Sequence, residues 1–383
     1  MKKLSSGNYA VAEAVRQAKV QFIAAYPITP QTSIYEKISE MEAQALLTGS
    51  MARVESEHSA ITMCVSASMA GIRVFSATSS QGLALMHEML HFASGNRSPM
   101  VMVCVNRAIA APWSLGTDQT DTLAQRDTGW MQFYCEDNQE VYDTVLQAYK
   151  ISEKILLPSM VIMDGFFTSH FIEPMDFADD ADIDQFLSGS ASPDRFDIEN
   201  PTYISSLVNA NDYLAFKKRK FTDMEAAKEV IAEVEEEFKQ IFKRSYGMVE
   251  TVETNDAEIV MVTSGAMTST GRVAIESLRK KGLRVGLLKI KTFRPFPYEE
   301  VEEALRGVRK VVVIDRNVSI GKGGIFCSEV QSAINNSSVN PLVYGYIAGL
   351  AGMDVSSGVL EGIVMEVQEK ESPDRLPVWV GGN

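Results

Sequence analysis

From residue 8 to about 165, short β-like runs alternate with helical patterns, and this rhythm limits the chain to few folds. The strand candidates are Val20–Ala25, Met51–Val54, Arg73–Ala77, Pro99–Val105 and Pro158–Met163. Each is followed by a stretch long enough for a crossover helix, the signature of a parallel α/β sheet with helices on its faces. Residues 173 to about 215 break the rhythm with Asp, Pro, Ser and Asn, which predicts a long excursion, an arm over a partner. Helical patterning returns over Phe221–Arg244. A second α/β unit begins at Glu258: strand Ile259–Val262, helix Thr268–Lys281, strand Arg284–Lys289, helix Pro297–Leu305 and strand Val311–Ile314. A chain of 383 residues with 45% hydrophobic content can bury a large core, and its length suggests two or three domains. The expected domains are 1–245 and 246–383.

Composition narrows the function. The net charge of −14 argues against nucleic acid or an anionic membrane as partner. No apolar run approaches the roughly 18 residues of a membrane span, and Met1–Gly7 leads directly into polar, helix-forming sequence, so a cytoplasmic location is expected. Cys64, Cys104, Cys135 and Cys327 have no C-x-x-C spacing for zinc, an iron–sulfur cluster or a redox pair. Cys64 and Cys104 read as small core residues. The acidic run Glu225–Glu237 reads as a solvated helix face.

Three polar residues fall at predicted strand ends. Tyr26-Pro27-Ile28-Thr29-Pro30 sits on a strand-to-helix turn, where two prolines fix φ near −65° around Ile28-Thr29. Glu57, in Glu55-Ser56-Glu57-His58-Ser59, opens a helix rich in small residues that lets another backbone or a flat ligand come close. Arg107 follows the strand ending at Val105. In a parallel sheet, Thr29, Glu57 and Arg107 converge on the carboxyl edge, where open α/β sheets bind ligands. A hydroxyl, a carboxylate and a guanidinium suit a small anionic substrate beside a cofactor. The plainer roles are a Pro-rich turn, a first-turn carboxylate and a surface ion pair.

Other motifs carry less. His87-Glu88-Met89-Leu90-His91 spells the H-E-x-x-H of a zinc hydrolase, but the surrounding α/β rhythm accounts for these residues as helix packing. Ser264–Gly271 could face an anion, although its Ser and Thr residues read first as helix caps. Gly321-Lys322-Gly323-Gly324 lacks the spacing of a phosphate loop and reads as a flexible turn.

Taken together, Ala25–Thr32, Val54–Ala60, Thr78–Glu88, Asn106-Arg107-Ala108, Asp118–Asp121, Gln125–Trp130 and Phe293–Pro297 resemble the α subunit of 2-oxoacid:ferredoxin oxidoreductases, most closely the multi-subunit pyruvate type. The resemblance spans nearly the whole chain and implies an α/β fold: a pyrimidine-type thiamine diphosphate-binding parallel-sheet domain followed by a transketolase C-terminal-like domain. It further implies a cofactor shared with a β subunit that holds the diphosphate, Mg²⁺ and one cluster. A δ chain would carry two more [4Fe–4S] clusters, a γ chain would complete the complex, and this chain would hold neither cluster nor metal. Coenzyme A is the implied co-substrate. Glu57 is expected to hydrogen-bond N1′ of the aminopyrimidine, Thr29, Arg107 and Ile28 to bind the 2-oxo acid, and Tyr26, Pro27 and Ser80 to contact the cofactor. The Thr of the Pro-rich turn suits a neutral 2-oxo acid better than oxalate. Ferredoxin, itself acidic, is expected to dock on another subunit. The chain departs from the pyruvate pattern at Trp113–Thr117, where Gly116 stands at an aromatic position. That predicts a wider acyl pocket and admits a branched-chain acid, 2-oxoisovalerate, or a broad 2-oxo acid specificity. A zinc hydrolase and a non-catalytic scaffold are the readings from other classes.

Overall fold

A computed structural model describes residues 2–189, 199, 201, 204–335 and 337–381. The first half runs β1 (Lys2–Ser6), α1 (Gly7–Gln17), β2 (Phe22–Ala25), α2 (Thr32–Ala43), β3 (Ser50–Arg53), α3 (Glu57–Met69), β4 (Val74–Thr78), α4 (Ser80–Leu85), α5 (His87–Gly95), β5 (Val101–Asn106), α6 (Thr120–Leu123), β6 (Met131–Tyr134), α7 (Asn138–Ile155) and β7 (Ser159–Asp164). Next come β8 (Ile172–Asp176), α8 (Asp180–Leu187) and α9 (Ala210–Phe242). The remainder is β9 (Val249–Val252), β10 (Ile259–Thr263), α10 (Met267–Lys280), β11 (Val285–Ile290), β12 (Thr292–Arg294), α11 (Tyr298–Ala304), β13 (Lys310–Asp315), α12 (Ile325–Asn335), β14 (Leu342–Ala348), α13 (Ser357–Glu369) and β15 (Val378–Val380).

The first sheet has the strand order β12-β6-β7-β5-β4-β2-β3, and all neighbours are parallel except β12 against β6. Its central strands β5 and β7 are buried at every residue, because helices cover both faces. The second sheet, β15-β14-β13-β10-β11-β9, is parallel apart from β9. All five strands expected in the first half form. β1 and β6 are additional to the strands expected in this half.

Several expectations are corrected. The long excursion starts with structure: β8 pairs antiparallel with β1, and α8 follows. The rest of its length falls partly on residues outside those described. The expected helix over 221–244 begins at Ala210, where the Asn209 side chain accepts the Asp212 N–H at 3.0 Å. Its acidic run is solvated on one side only. Ala227, Ile231, Val234 and Phe238 are buried, Glu233 pairs with Lys154 at 3.2 Å, Glu237 pairs with Lys150, and buried Glu235 accepts the Gly247 N–H at 3.2 Å.

The segment Phe293–Pro297, read as part of the second unit, instead sends β12 into the first sheet. Phe293 is fully buried there, 6.1 Å from the Tyr134 ring and 4.8 Å from Phe326. The Gly321–Gly324 turn is exposed at Gly321 and Lys322 and closely packed at its Gly324 end. A Cβ on Gly324 would lie 1.8 Å from Asp315 Oδ2, and Asp315 accepts the Phe326 and Cys327 N–H groups at 2.9 and 3.1 Å.

Candidate active site

The carboxyl ends of β2, β3, β4 and β5 lie on one edge of the first sheet because those strands are parallel. The Tyr26–Pro30 turn follows β2 and is held from three sides. Asn8 Nδ2 donates to Pro30 O at 2.9 Å, Gln31 Nε2 donates to Tyr26 O at 2.9 Å, and Arg107 Nη1 donates to Thr29 O at 2.8 Å. Thr29 and Arg107, 78 positions apart in sequence, are thus in contact. Pro27 and Thr29 are exposed, whereas Tyr26 and Ile28 are half-buried.

Arg107 is 5% exposed, and its guanidinium lies 5.8 Å from the Trp113 ring centroid. Burial pushes its pKa down, against the pull of Asp121. Its Nε has no hydrogen-bond partner among the described residues.

Glu57 opens α3 after Ser56, whose hydroxyl accepts the Ser59 N–H at 3.2 Å. Its side chain is only 7% exposed. The carboxylate packs against Gly82 in α4: a Cβ there would lie 2.5 Å from Glu57 Oε1 and 2.6 Å from Thr78 Oγ1. Thr78 Oγ1 is buried without a partner, and among the described residues no hydrogen bond reaches the Glu57 carboxylate. The Thr78 hydroxyl is a buried polar group left unpaired beside the Glu57 carboxylate, so both have hydrogen-bonding capacity free to meet a ligand. An aminopyrimidine nitrogen beside a glycine-lined wall fits that capacity.

Ser80 adopts a left-handed backbone with φ of 49°, and its hydroxyl donates to Ala108 O at 2.7 Å. This bond ties the turn after β4 to the turn after β5. Of the seven residues singled out in the sequence, Thr29, Arg107 and Ser80 are therefore linked through one network, and Tyr26, Pro27 and Ile28 frame it. Glu57 stands beside Gly82, two positions after Ser80. Gly82 and Asp121 carried no individual role in the sequence, although both lie inside motifs that mark the resemblance.

Gly116 does not open a pocket. A Cβ there would lie 1.8 Å from Ala351 O, so backbone meets backbone between the two halves, and Gly352 N donates to Thr117 O at 3.0 Å. The Ser264–Gly271 turn likewise serves the junction. Ser264 Oγ donates to Ile290 O at 2.9 Å instead of capping α10, and Ala266 N donates to Asp164 Oδ2 at 2.7 Å. Asp164 also accepts from Thr117 Oγ1 at 3.0 Å and pairs with Arg316 at 3.2 Å.

The two imidazoles of His87 and His91 lie 5.0 Å apart, nearly perpendicular, and His87 Nδ1 meets Gln125 Oε1 at 2.6 Å. The described residues contain no group of three or more His, Cys, Asp or Glu that could hold a metal ion. No helix among them is long and apolar enough to cross a membrane. All four cysteines are buried and free.

Comparison with known proteins gives the family. Residues 13–236 match the family described as pyruvate flavodoxin/ferredoxin oxidoreductase, thiamine diphosphate-binding, and residues 257–358 match pyruvate:ferredoxin oxidoreductase core domain II. The chain is 46% identical over 383 residues to ketoisovalerate oxidoreductase subunit VorA of Pyrococcus horikoshii, covering 98% of this chain and 96% of the relative. It is 44% identical over 381 residues to pyruvate synthase subunit PorA of Methanothermobacter thermautotrophicus, covering 99% and 98%. The fold matches 2-oxoglutarate:ferredoxin oxidoreductase from Magnetococcus marinus, solved with 2-oxoglutarate, coenzyme A and succinyl-CoA, at a TM-score of 0.75 and 20% identity; the match covers 95% of this chain and 65% of that longer one. A split-gene transketolase shares the fold more distantly, with a TM-score of 0.53. Matched over residues 13–236 by the family model and along nearly its whole length by these relatives, this oxidoreductase subunit belongs to the thiamine diphosphate-binding pyruvate flavodoxin/ferredoxin oxidoreductase family.

Proposed function

We propose that this chain is the α subunit of a pyruvate:ferredoxin oxidoreductase, which cleaves pyruvate oxidatively to acetyl-CoA and CO₂ and passes two electrons singly to ferredoxin, with CO₂ fixation as the reverse reaction. The observation that carries the reading is the Glu57 carboxylate set against the Gly82 wall, next to the buried and unpartnered Thr78 hydroxyl. Thiamine diphosphate, when bound, supplies the nucleophilic carbon and the electron sink for decarboxylation. Glu57 would accept a hydrogen bond from the pyrimidine N1′ and hold the proton there. The Gly82 wall, Tyr26 and Pro27 would seat the ring, while Ser80, fully buried and bonded to Asp121 and Ala108, would brace that wall from behind instead of touching the cofactor. Arg107 and the Thr29 hydroxyl would fix the substrate carboxylate and carbonyl oxygen, and Ile28 would flank the acyl group.

Mg²⁺ and the [4Fe–4S] clusters belong in this proposal to partner subunits, with β completing the cofactor site, γ and δ completing the complex, and ferredoxin docking away from this acidic chain in the cytoplasm. Pyruvate is favoured because Gly116, the one residue that pointed to a wider pocket, is taken up by the Ala351 contact. A branched-chain acid is the second reading, supported by the 46% identity to a ketoisovalerate subunit. CoA-dependent reduction of ferredoxin or methyl viologen by the native complex tests both, with pyruvate, 2-oxoisovalerate and 2-oxoglutarate compared. Pyruvate is expected to show the highest kcat/KM. A preference for 2-oxoisovalerate would install the second reading, and inactivity on all three would reject both.

In the same assay, Gly82→Ala is expected to lower catalytic efficiency by about 10²-fold, since a methyl group 2.5 Å from Oε1 must displace the Glu57 carboxylate. Unchanged efficiency in a folded Gly82→Ala complex would show that Glu57 needs no such seat.

A further inference from the structure

We propose that Asp121 is the positioning residue for Arg107 and Ser80, gripping the backbone of both so that the loop carrying Arg107 and the turn that leads into the Gly82 wall hold one register. The inference rests on the functional reading above. Asp121 lies at the start of α6 and is 1% exposed. Its Oδ2 accepts the backbone N–H of Ser80 at 3.0 Å and of Arg107 at 3.1 Å. Its Oδ1 accepts from Asn106 Nδ2 at 2.6 Å and from the Thr122 N–H at 2.7 Å. One carboxylate thus uses both oxygens on four donors from three segments, the full acceptor capacity of the group.

The Ser80 backbone shows why such a grip is needed. A non-glycine residue with φ of 49° is strained and persists only where its surroundings over-determine it. Here the Asp121 bond to its N–H and the Ser80 hydroxyl bond to Ala108 O, 2.7 Å long, supply that constraint. On the other side, Asn106 ends β5 and Arg107 follows it directly, so the same carboxylate sets where the guanidinium begins. Burial pushes the Asp121 carboxyl up to about 7, so the N–H donors only partly offset the loss of water.

The test is Asp121→Asn in the assembled enzyme, where the new amide NH₂ faces two of the four donors with a donor of its own. Amide hydrogen exchange is expected to accelerate at both Ser80 and Arg107, and the substrate KM to rise at least tenfold. In an Arg107→Ala background the same substitution is expected to change KM less than twofold, because a residue acting through Arg107 has nothing left to position. Should Asp121→Asn fail to assemble, Asn106→Ser, which removes one donor to Oδ1, is read by the same criteria with a smaller rise.

Unchanged exchange at Ser80 and Arg107 overturns the proposal whatever the activity. Faster exchange with unchanged KM, or KM effects that multiply independently, reduces Asp121 to a structural residue and also overturns it. Wild-type enzyme inactive on every 2-oxo acid removes the functional reading, and the positioning role with it.

Discussion

Glu57→Gln should slow turnover of the 2-oxo acid by about 10²- to 10⁴-fold, the range for losing a positioned acid–base group, while the complex stays assembled. The amide keeps the volume of the side chain and the contact with Gly82, so packing is preserved. What it loses is the charge that holds a proton on the ring nitrogen. Binding of the cofactor, followed by calorimetry or by its circular dichroism, should weaken far less than turnover slows. Equal losses in binding and in turnover would mean that Glu57 only seats the cofactor; full activity would remove it from the site.

Lys289→Met should be the most destabilising single change at the junction of the two sheets. Lys289 is 2% exposed and lies 2.8 Å from Glu140, 3.0 Å from Glu136 and 3.8 Å from Glu250; Arg272 adds bonds to Glu136 and Glu250 at 2.8 and 2.6 Å. Removing one partner from such a set leaves a buried charge uncompensated, at about 3–5 kcal/mol. The double substitution Lys289→Met with Glu140→Gln should recover much of that loss, because a neutral amide is far less costly to bury. Denaturant midpoints of the three proteins decide the matter, and a double substitution no better than the single would place the cost in packing.

The pH dependence has a definite sign. Burial alone would raise the Glu136 carboxyl, but Arg272 and Lys289 hold it down to about 2, below its ordinary 4.5. Its contribution is therefore complete above about 4.5 and is lost as pH falls towards 2. Through Glu136 the junction should weaken as pH falls from about 4.5 towards 2, whereas Lys289, whose pKa Glu140 and Glu136 hold up against burial, keeps its contribution until strongly basic pH.

How much of this was legible in the sequence follows from range. Pro99–Val105 and Pro158–Met163 could be read as strands, found at Val101–Asn106 and Ser159–Asp164, because buried parallel strands are nearly continuous apolar runs. Thr29, Glu57 and Arg107 could be placed on one edge because strand ends in a parallel sheet share a side. The bond from Arg107 to Thr29 O could not be seen, nor could the role of Asp121, since each joins loops far apart in sequence and no local periodicity records it. Gly116 shows the opposite failure. A missing side chain looks like empty space until the Ala351 carbonyl that fills it is known.

The insertion of β12 beside β6 also bears on how the polypeptide can be cut. A fragment ending near residue 245 would keep every residue of the Tyr26, Glu57 and Arg107 loops yet lose the outer strand of its own sheet. Its β6 would then present unpaired amides and the uncovered ring of Tyr134 to solvent, a template for edge-to-edge aggregation. The two halves are consecutive in sequence but not separable as parts.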